Sequence, residues 1–157
     1  MIYSKSNPVY EDAWIHRLLV GMETILIPKW NVLTATCKFI GRIEILNGKE
    51  VFYYNGNYMD ILTDDRVNFV SHVSVDSNMR HVDLLKRFNA TLVCQANLKT
   101  LYPTITHRAD AELRKDIEDV LMMHVEPTEY KGFTFNQSDI KDMQPFHTVK
   151  FNFEIVL

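Results

Sequence analysis

Two Asn-Gly pairs, Asn47-Gly48 and Asn55-Gly56, constrain this chain more than any other feature. Asparagine and glycine tolerate the positive φ that a type I′ turn requires, and that turn joins antiparallel strands with their natural twist. The flanking stretches 42–46, 49–54 and 58–62 are rich in β-formers, so the region is expected to fold as a β-meander. Its middle strand contains Phe52-Tyr53-Tyr54, and strand alternation must send consecutive side chains to opposite faces. At least one of these aromatics, with Tyr58 beside them, is therefore expected outside the core. Such a residue is either a half-buried tyrosine or a contact for another molecule, since interfaces favour aromatics.

Periodicity supplies the remaining elements. Residues 11–27 carry Trp14, Ile15, Leu18, Leu19, Met22, Ile25 and Leu26 on one helical face. Glu11 and Asp12 suit its N-terminus, Pro28 marks its expected exit, and Gly21 weakens it. A strand over 66–75 sets Val67, Phe69, Val73 and Val75 against Asn68, His72 and Ser74, with Ser71 interrupting the apolar face. The spacing of Val82, Leu84, Leu85 and Phe88 predicts a short helix within 77–88. Residues 91–99 alternate as a half-buried strand, with Leu92, Cys94, Ala96 and Leu98 on one side.

After Pro103, Thr104 or Thr106 is placed to cap a second helix running to about His124. Its inner stripe is Ala109, Leu113, Ile117, Val120 and Leu121, and Asp110 with Arg114 and Lys115 with Asp119 are four-apart ion pairs on its wet side. Residues 126–144 read as an exposed loop or arm, with Phe133 and Phe135 as anchors or a short edge strand. Residues 147–157 alternate Val149, Phe151, Phe153, Ile155 and Leu157 against polar partners, which predicts a terminal strand inside the sheet. The order implies one α+β domain over 1–157: a two-layer sandwich with an antiparallel or mixed sheet and two main helices on one face.

With 157 residues the chain can bury a substantial core without staples. Hydrophobic residues at 46%, charged residues at 24% and a net charge of -3 favour neither disorder, a membrane class nor a nucleic-acid backbone as partner. Cys37 and Cys94 lie in no short-spaced motif and read as buried packing thiols, although sequence leaves a disulfide between them open. The first residues lack the layout of a signal peptide, so synthesis and residence in cytoplasm are expected.

The patterns that carry chemistry yield no catalytic, cofactor-binding or metal-binding residue. Glycines 21, 41, 48, 56 and 132 form no phosphate-cradling loop. His72, His81 and His107 are far apart in sequence and fall in no metal-ligand spacing. The adjacent acids Asp64-Asp65 and Glu118-Asp119 point in different directions on a turn or helix, so a solvated face is the expected setting. Aromatic residues near Arg42, Lys49 and Arg66 keep a single-stranded nucleic-acid-binding module open as an alternative. A small enzyme whose histidines and carboxylates are gathered by the fold is the other alternative.

The element order also resembles the tail-terminator and tail-completion proteins of tailed bacteriophages and, more loosely, other neck or head-tail connector ring subunits. The resemblance rests on the leading helix over 11–27, the meander around the two Asn-Gly pairs, the strand-to-helix unit ATLVCQANLKTLYPTITHRADAELRKDIEDVL and the closing strand HTVKFNFEIVL. It implies a non-enzymatic virion protein forming a closed homo-oligomeric ring between portal, neck and tail proteins. DNA would pass through the lumen without sequence-specific contacts. The stretch 126–144 departs from the expected pattern and would be an arm or an insertion.

Overall fold

Both Asn-Gly turns adopt the geometry their residues allow, with φ of 52° and 75° at Asn47 and Gly48 and 49° and 86° at Asn55 and Gly56. They join β2 (Cys37–Leu46), β3 (Lys49–Tyr54) and β4 (Asn57–Asp60). The structure is a computed structural model that describes residues 1–61, 66–76, 80–82, 85–124, 129–134 and 146–157. Its other elements are β1 (Ile2–Tyr3), α1 (Glu11–Trp30), β5 (Phe69–Val75), β6 (Arg80–Val82), β7 (Leu85–Asn97), α2 (Leu98–Leu101), α3 (Ala109–His124), β8 (Glu129–Thr134) and β9 (Phe146–Val156). The strands form a sheet in the order β4-β3-β2-β5-β7-β9-β8, with β1 added to β2 and β6 to β7. Pairs β1–β2 and β2–β5 are parallel and the others antiparallel, so the fold is α+β with a mixed sheet.

Helices α1 and α3 cover one face. Their buried residues, among them Trp14, Leu18, Met22, Leu26, Leu113, Ile117 and Leu121, join Phe39, Phe69, Leu92, Phe151 and Phe153 in one core. The rings of Trp14 and Phe153 lie 5.1 Å apart and those of Trp30 and Phe69 5.0 Å apart, separations at which aromatic pairs add to the burial of their area. A smaller cluster of Ile40, Ile43, Phe52, Val67 and Val70, flanked by Tyr3 and Tyr54, fastens the meander to the sheet. Ser71 does interrupt the apolar face of β5: it is fully buried, and its hydroxyl has no hydrogen-bond partner among the described residues.

Several expectations require correction. Residues 85–88 are strand, not helix: β7 extends back to Leu85 because β9 offers it a ladder from Arg87↔Val156 to Asn97↔Phe146, and β6 pairs with the same stretch. Pro28 does not end α1. The helix continues to Trp30, whose buried indole anchors it, and closes at Asn31 in the left-handed conformation. Proline here removes one backbone bond near the C-terminus and leaves the last turn intact. Neither Thr104 nor Thr106 begins α3; it starts at Ala109, after Arg108 at φ 62°, and the Thr106 hydroxyl instead lies 3.2 Å from His107 Nδ1.

On that helix Lys115 and Asp119 form the expected ion pair at 2.8 Å, but Arg114 faces Glu118 and Asp110 faces Arg108. Within 126–144, residues Glu129–Thr134 form an edge strand on β9, while 135–144 and the Asp64-Asp65 pair lie outside the described residues. With β7 and β8 on either side, β9 is interior, as its alternation predicts.

Gly21 has a packing reason. A side chain there would meet the His124 ring, with its Cβ 2.0 Å from Nε2, so glycine lets the end of α3 pack closely against the middle of α1.

Candidate assembly interface

The meander buries Val51 and Phe52 but leaves Ile45, Leu46, Tyr53, Tyr58 and Met59 exposed. Ile45, at 77% exposure, is the most open large hydrophobic residue of the described chain. Tyr53 and Tyr58 face each other across β3 and β4, with ring centroids 5.3 Å apart in an edge-to-face arrangement. Tyr54, by contrast, packs on Tyr3 at 5.2 Å, so the Phe-Tyr-Tyr run divides between core and surface as alternation requires. All of β4 is exposed, and β4 is a sheet edge.

Electrostatically this surface leans acidic. The Tyr58 hydroxyl donates to Glu44 at 3.1 Å, which raises the phenol above its ordinary pKa. Glu50 and Asp60 are exposed and form no ion pair among the described residues, while Lys49 offsets part of their charge. Arg42, expected to offer a cation here, is bound to Glu11 at 2.8 Å.

A second feature lies at the opposite end of the strands. A recess of about 460 Å³ opens between α2, the loop before α3 and the start of β9. Ile105 and Phe146 give it an apolar lining, and Lys99, His107, Arg108 and His147 surround it. Strand register fixes its distance from the meander. Cys37 pairs with Phe69, Phe69 with Ala96 and Ala96 with His147, so the recess lies at the level where β2 begins. The Asn47-Gly48 turn follows the far end of β2, about 30 Å away at a rise of about 3.3 Å per residue.

Sequence reasoning missed a buried polar network between the helices. Asp116 is only 2% exposed. Its Oδ2 accepts from Tyr102 Oη at 2.8 Å and from Trp30 Nε1 at 3.0 Å, and its Oδ1 is paired with Lys29 Nζ. The indole N–H is shared with the Tyr102 oxygen at 2.9 Å. Burial, then the Asp116 contact, pushes the Tyr102 phenol well above its ordinary range, so it remains a neutral donor. A smaller recess of about 320 Å³ adjoins this network and shares Ile105 with the first. One signal was available: Asp116 lies three residues after Leu113 and one before Ile117, on the inner stripe of α3 where an unpaired acid would be costly.

The histidines singled out in the sequence do not converge. His72 projects from β5 on the face away from the helices, in a row with Val93 and Lys150, and burial followed by the Lys150 charge pushes it down to about 4. His107 borders the recess, and the side chain of His81 lies outside the described residues. No group of three or more metal-ligating side chains occurs among the described residues. Cys37 and Cys94 are both buried free thiols whose burial raises their pKa, so they pack and do not pair. No described helix is long and apolar enough to cross a membrane.

No protein-family model, curated protein or solved structure matches this chain.

Proposed function

We propose that this chain is a structural subunit of a phage neck or tail ring, of tail-terminator or head-tail connector type. In this role it joins portal or neck to tail around the DNA channel, as a closed homo-oligomer in the virion, and its contribution is assembly rather than turnover. The observation that carries the reading is the meander: this end of the sheet holds Ile45 and Met59 on one face and Leu46, Tyr53 and Tyr58 on the other in water, although the fold has ample core elsewhere. Aromatic and aliphatic groups grouped on one element are what a subunit interface buries. The whole-chain resemblance in element order supports the same reading. Electron microscopy of the purified chain and of phage particles tests it, with rings and density at the head-tail junction expected. A chain absent from purified particles refutes it.

One observation favours a second reading, a small enzyme with a site gathered by the fold. The larger recess counts His107, His147 and Asp110 among its lining residues, acid-base side chains that sequence spacing did not bring together. Turnover of any substrate that disappears in His107→Ala but survives in Tyr53→Ala would establish it. Stacking of single-stranded nucleic acid on Tyr53 and Tyr58 gains less support, because Glu44 and Asp60 share that face of the sheet and place negative charge beside those rings.

A further inference from the structure

We propose that copies of this chain join head to tail, the meander of one seating in the recess between α2, the α3-leading loop and β9 of the next. The inference rests on the ring-subunit reading and adds the surfaces that meet.

Three observations carry it. The first is polarity. Meander tip and recess lie at opposite ends of the strands, about 30 Å apart along β2, so one copy cannot satisfy its own pair of surfaces. Two different patches at opposite ends define a heterologous contact, the kind that closes into a ring when the rotation between neighbours divides a full turn.

The second is charge. The meander carries Glu50 and Asp60 against Lys49, with Glu44 already paired to Lys5 at 3.4 Å, whereas the recess carries Lys99 and Arg108 against Asp110. Lys99 has no ion pair among the described residues, and Arg108 is 71% exposed with only Asp110 at 3.5 Å. The free charges at the two ends are thus opposite in sign, which steers docking and fixes its register.

The third is the apolar complement. The exposed side chains of Ile45 and Leu46 stand beside the turn, and the recess presents Ile105 and Phe146. A contact of this composition has an apolar centre and a charged rim.

Charge reversal tests the pairing. Glu50→Lys with Asp60→Lys reverses the meander, and Lys99→Glu with Arg108→Glu reverses the recess. All four residues are exposed, and circular dichroism confirms that the variants fold. Each pair alone is expected to weaken self-association by about 100-fold or more, because like charges at an interface cost several kcal/mol. A chain carrying all four changes is expected to regain assembly, since its reversed meander again meets a reversed recess. Sedimentation velocity and native mass spectrometry at low salt give the association state. Ile45→Cys combined with Ile105→Cys supplies a covalent readout, expected to produce a ladder of disulfide-linked copies under oxidation, in solution or within particles.

A wild-type chain that is monomeric at all concentrations and forms no ladder overturns the head-to-tail contact. So does an oligomer indifferent to both reversals. In either case density at the head-tail junction would leave the ring-subunit reading standing, whereas absence from particles would remove that reading by itself.

Discussion

Replacing Asp116 should be among the most damaging single changes in the helical layer, and the network around it sets the size of the effect. Asp116→Ala removes the acceptor for Tyr102 Oη and one acceptor for the Trp30 indole, and it strips Lys29 of its counter-charge. Breaking a buried ion pair from one side costs about 3–5 kcal/mol. The low end applies because the Lys29 side chain is 46% exposed and turns to water, and because the indole keeps the Tyr102 oxygen. The expected loss is about 3 kcal/mol, or about 6–12 °C in Tm for a domain of this length. Asp116→Asn keeps one accepting oxygen for Tyr102 and Trp30 and puts an NH2 group in place of the oxygen that faces Lys29, so its cost should be about 1–2 kcal/mol. Urea unfolding with double-mutant cycles separates the partners. Coupling of Asp116→Ala to Tyr102→Phe should be about 1–2 kcal/mol, and coupling to Lys29→Met smaller, because that pair is screened on one side. An Asp116→Ala loss below about 1 kcal/mol, or stronger coupling to Lys29 than to Tyr102, would refute the assignment of the anchor to the buried hydrogen bonds.

His72 should make the fold acid-sensitive. Its pKa is pushed down to about 4 from 6.5, so its contribution to stability is fully present above pH 6.5. That contribution is lost as pH falls toward about 4, where the unfolded chain binds a proton that the native state refuses, and the total is up to about 3 kcal/mol. Chemical denaturation across this window should therefore show a shallower acid limb in His72→Gln, and parallel limbs would contradict the burial argument. Gly21→Ala sets helix propensity, a gain of about 1 kcal/mol, against displacement of the His124 ring. It should destabilise the wild-type background and stabilise a His124→Ala background, a change of sign readable in thermal melts; the same sign in both would mean that the close approach does not matter.

The legible parts of this fold are those decided locally. The Asn-Gly pairs specify their turns because positive φ at Asn47, Gly48, Asn55 and Gly56 is a property of those residues wherever they occur. The alternation of β9 is equally local, and its burial pattern follows the sequence through Val149, Phe151, Phe153 and Ile155. The helix expected within 77–88 failed for the opposite reason. Val82, Leu84, Leu85 and Phe88 are compatible with either period, and a ladder to residues nearly seventy positions away decides the matter, as with Phe88↔Ile155. The Asp116 network was hidden by distance as well: Trp30 and Asp116 are 86 residues apart in the chain, and each has an ordinary local setting. The recess was illegible too, since α2, the α3-leading loop and the start of β9 meet only once the sheet has formed.

The network and the recess are mechanically linked. Tyr102 starts the loop that ends at Arg108, and its hydroxyl is held by Asp116 from α3 and by Trp30 from α1. Ile105, midway along that loop, lines both recesses. A polar cluster buried between two helices adds little stability over an apolar one of equal volume, but it fixes geometry, because its hydrogen bonds accept few arrangements. Here the fixed element is the wall of the recess, while the meander at the other end is tied down by Phe52, Tyr3 and Tyr54. A chain that must meet its neighbours at a repeating angle needs both ends held rigidly relative to one sheet, since a small error per contact accumulates around a ring and prevents closure. The buried carboxylate holds the start of that loop in place, and in the proposed ring it would thereby set the angle between copies without any chemistry being asked of it.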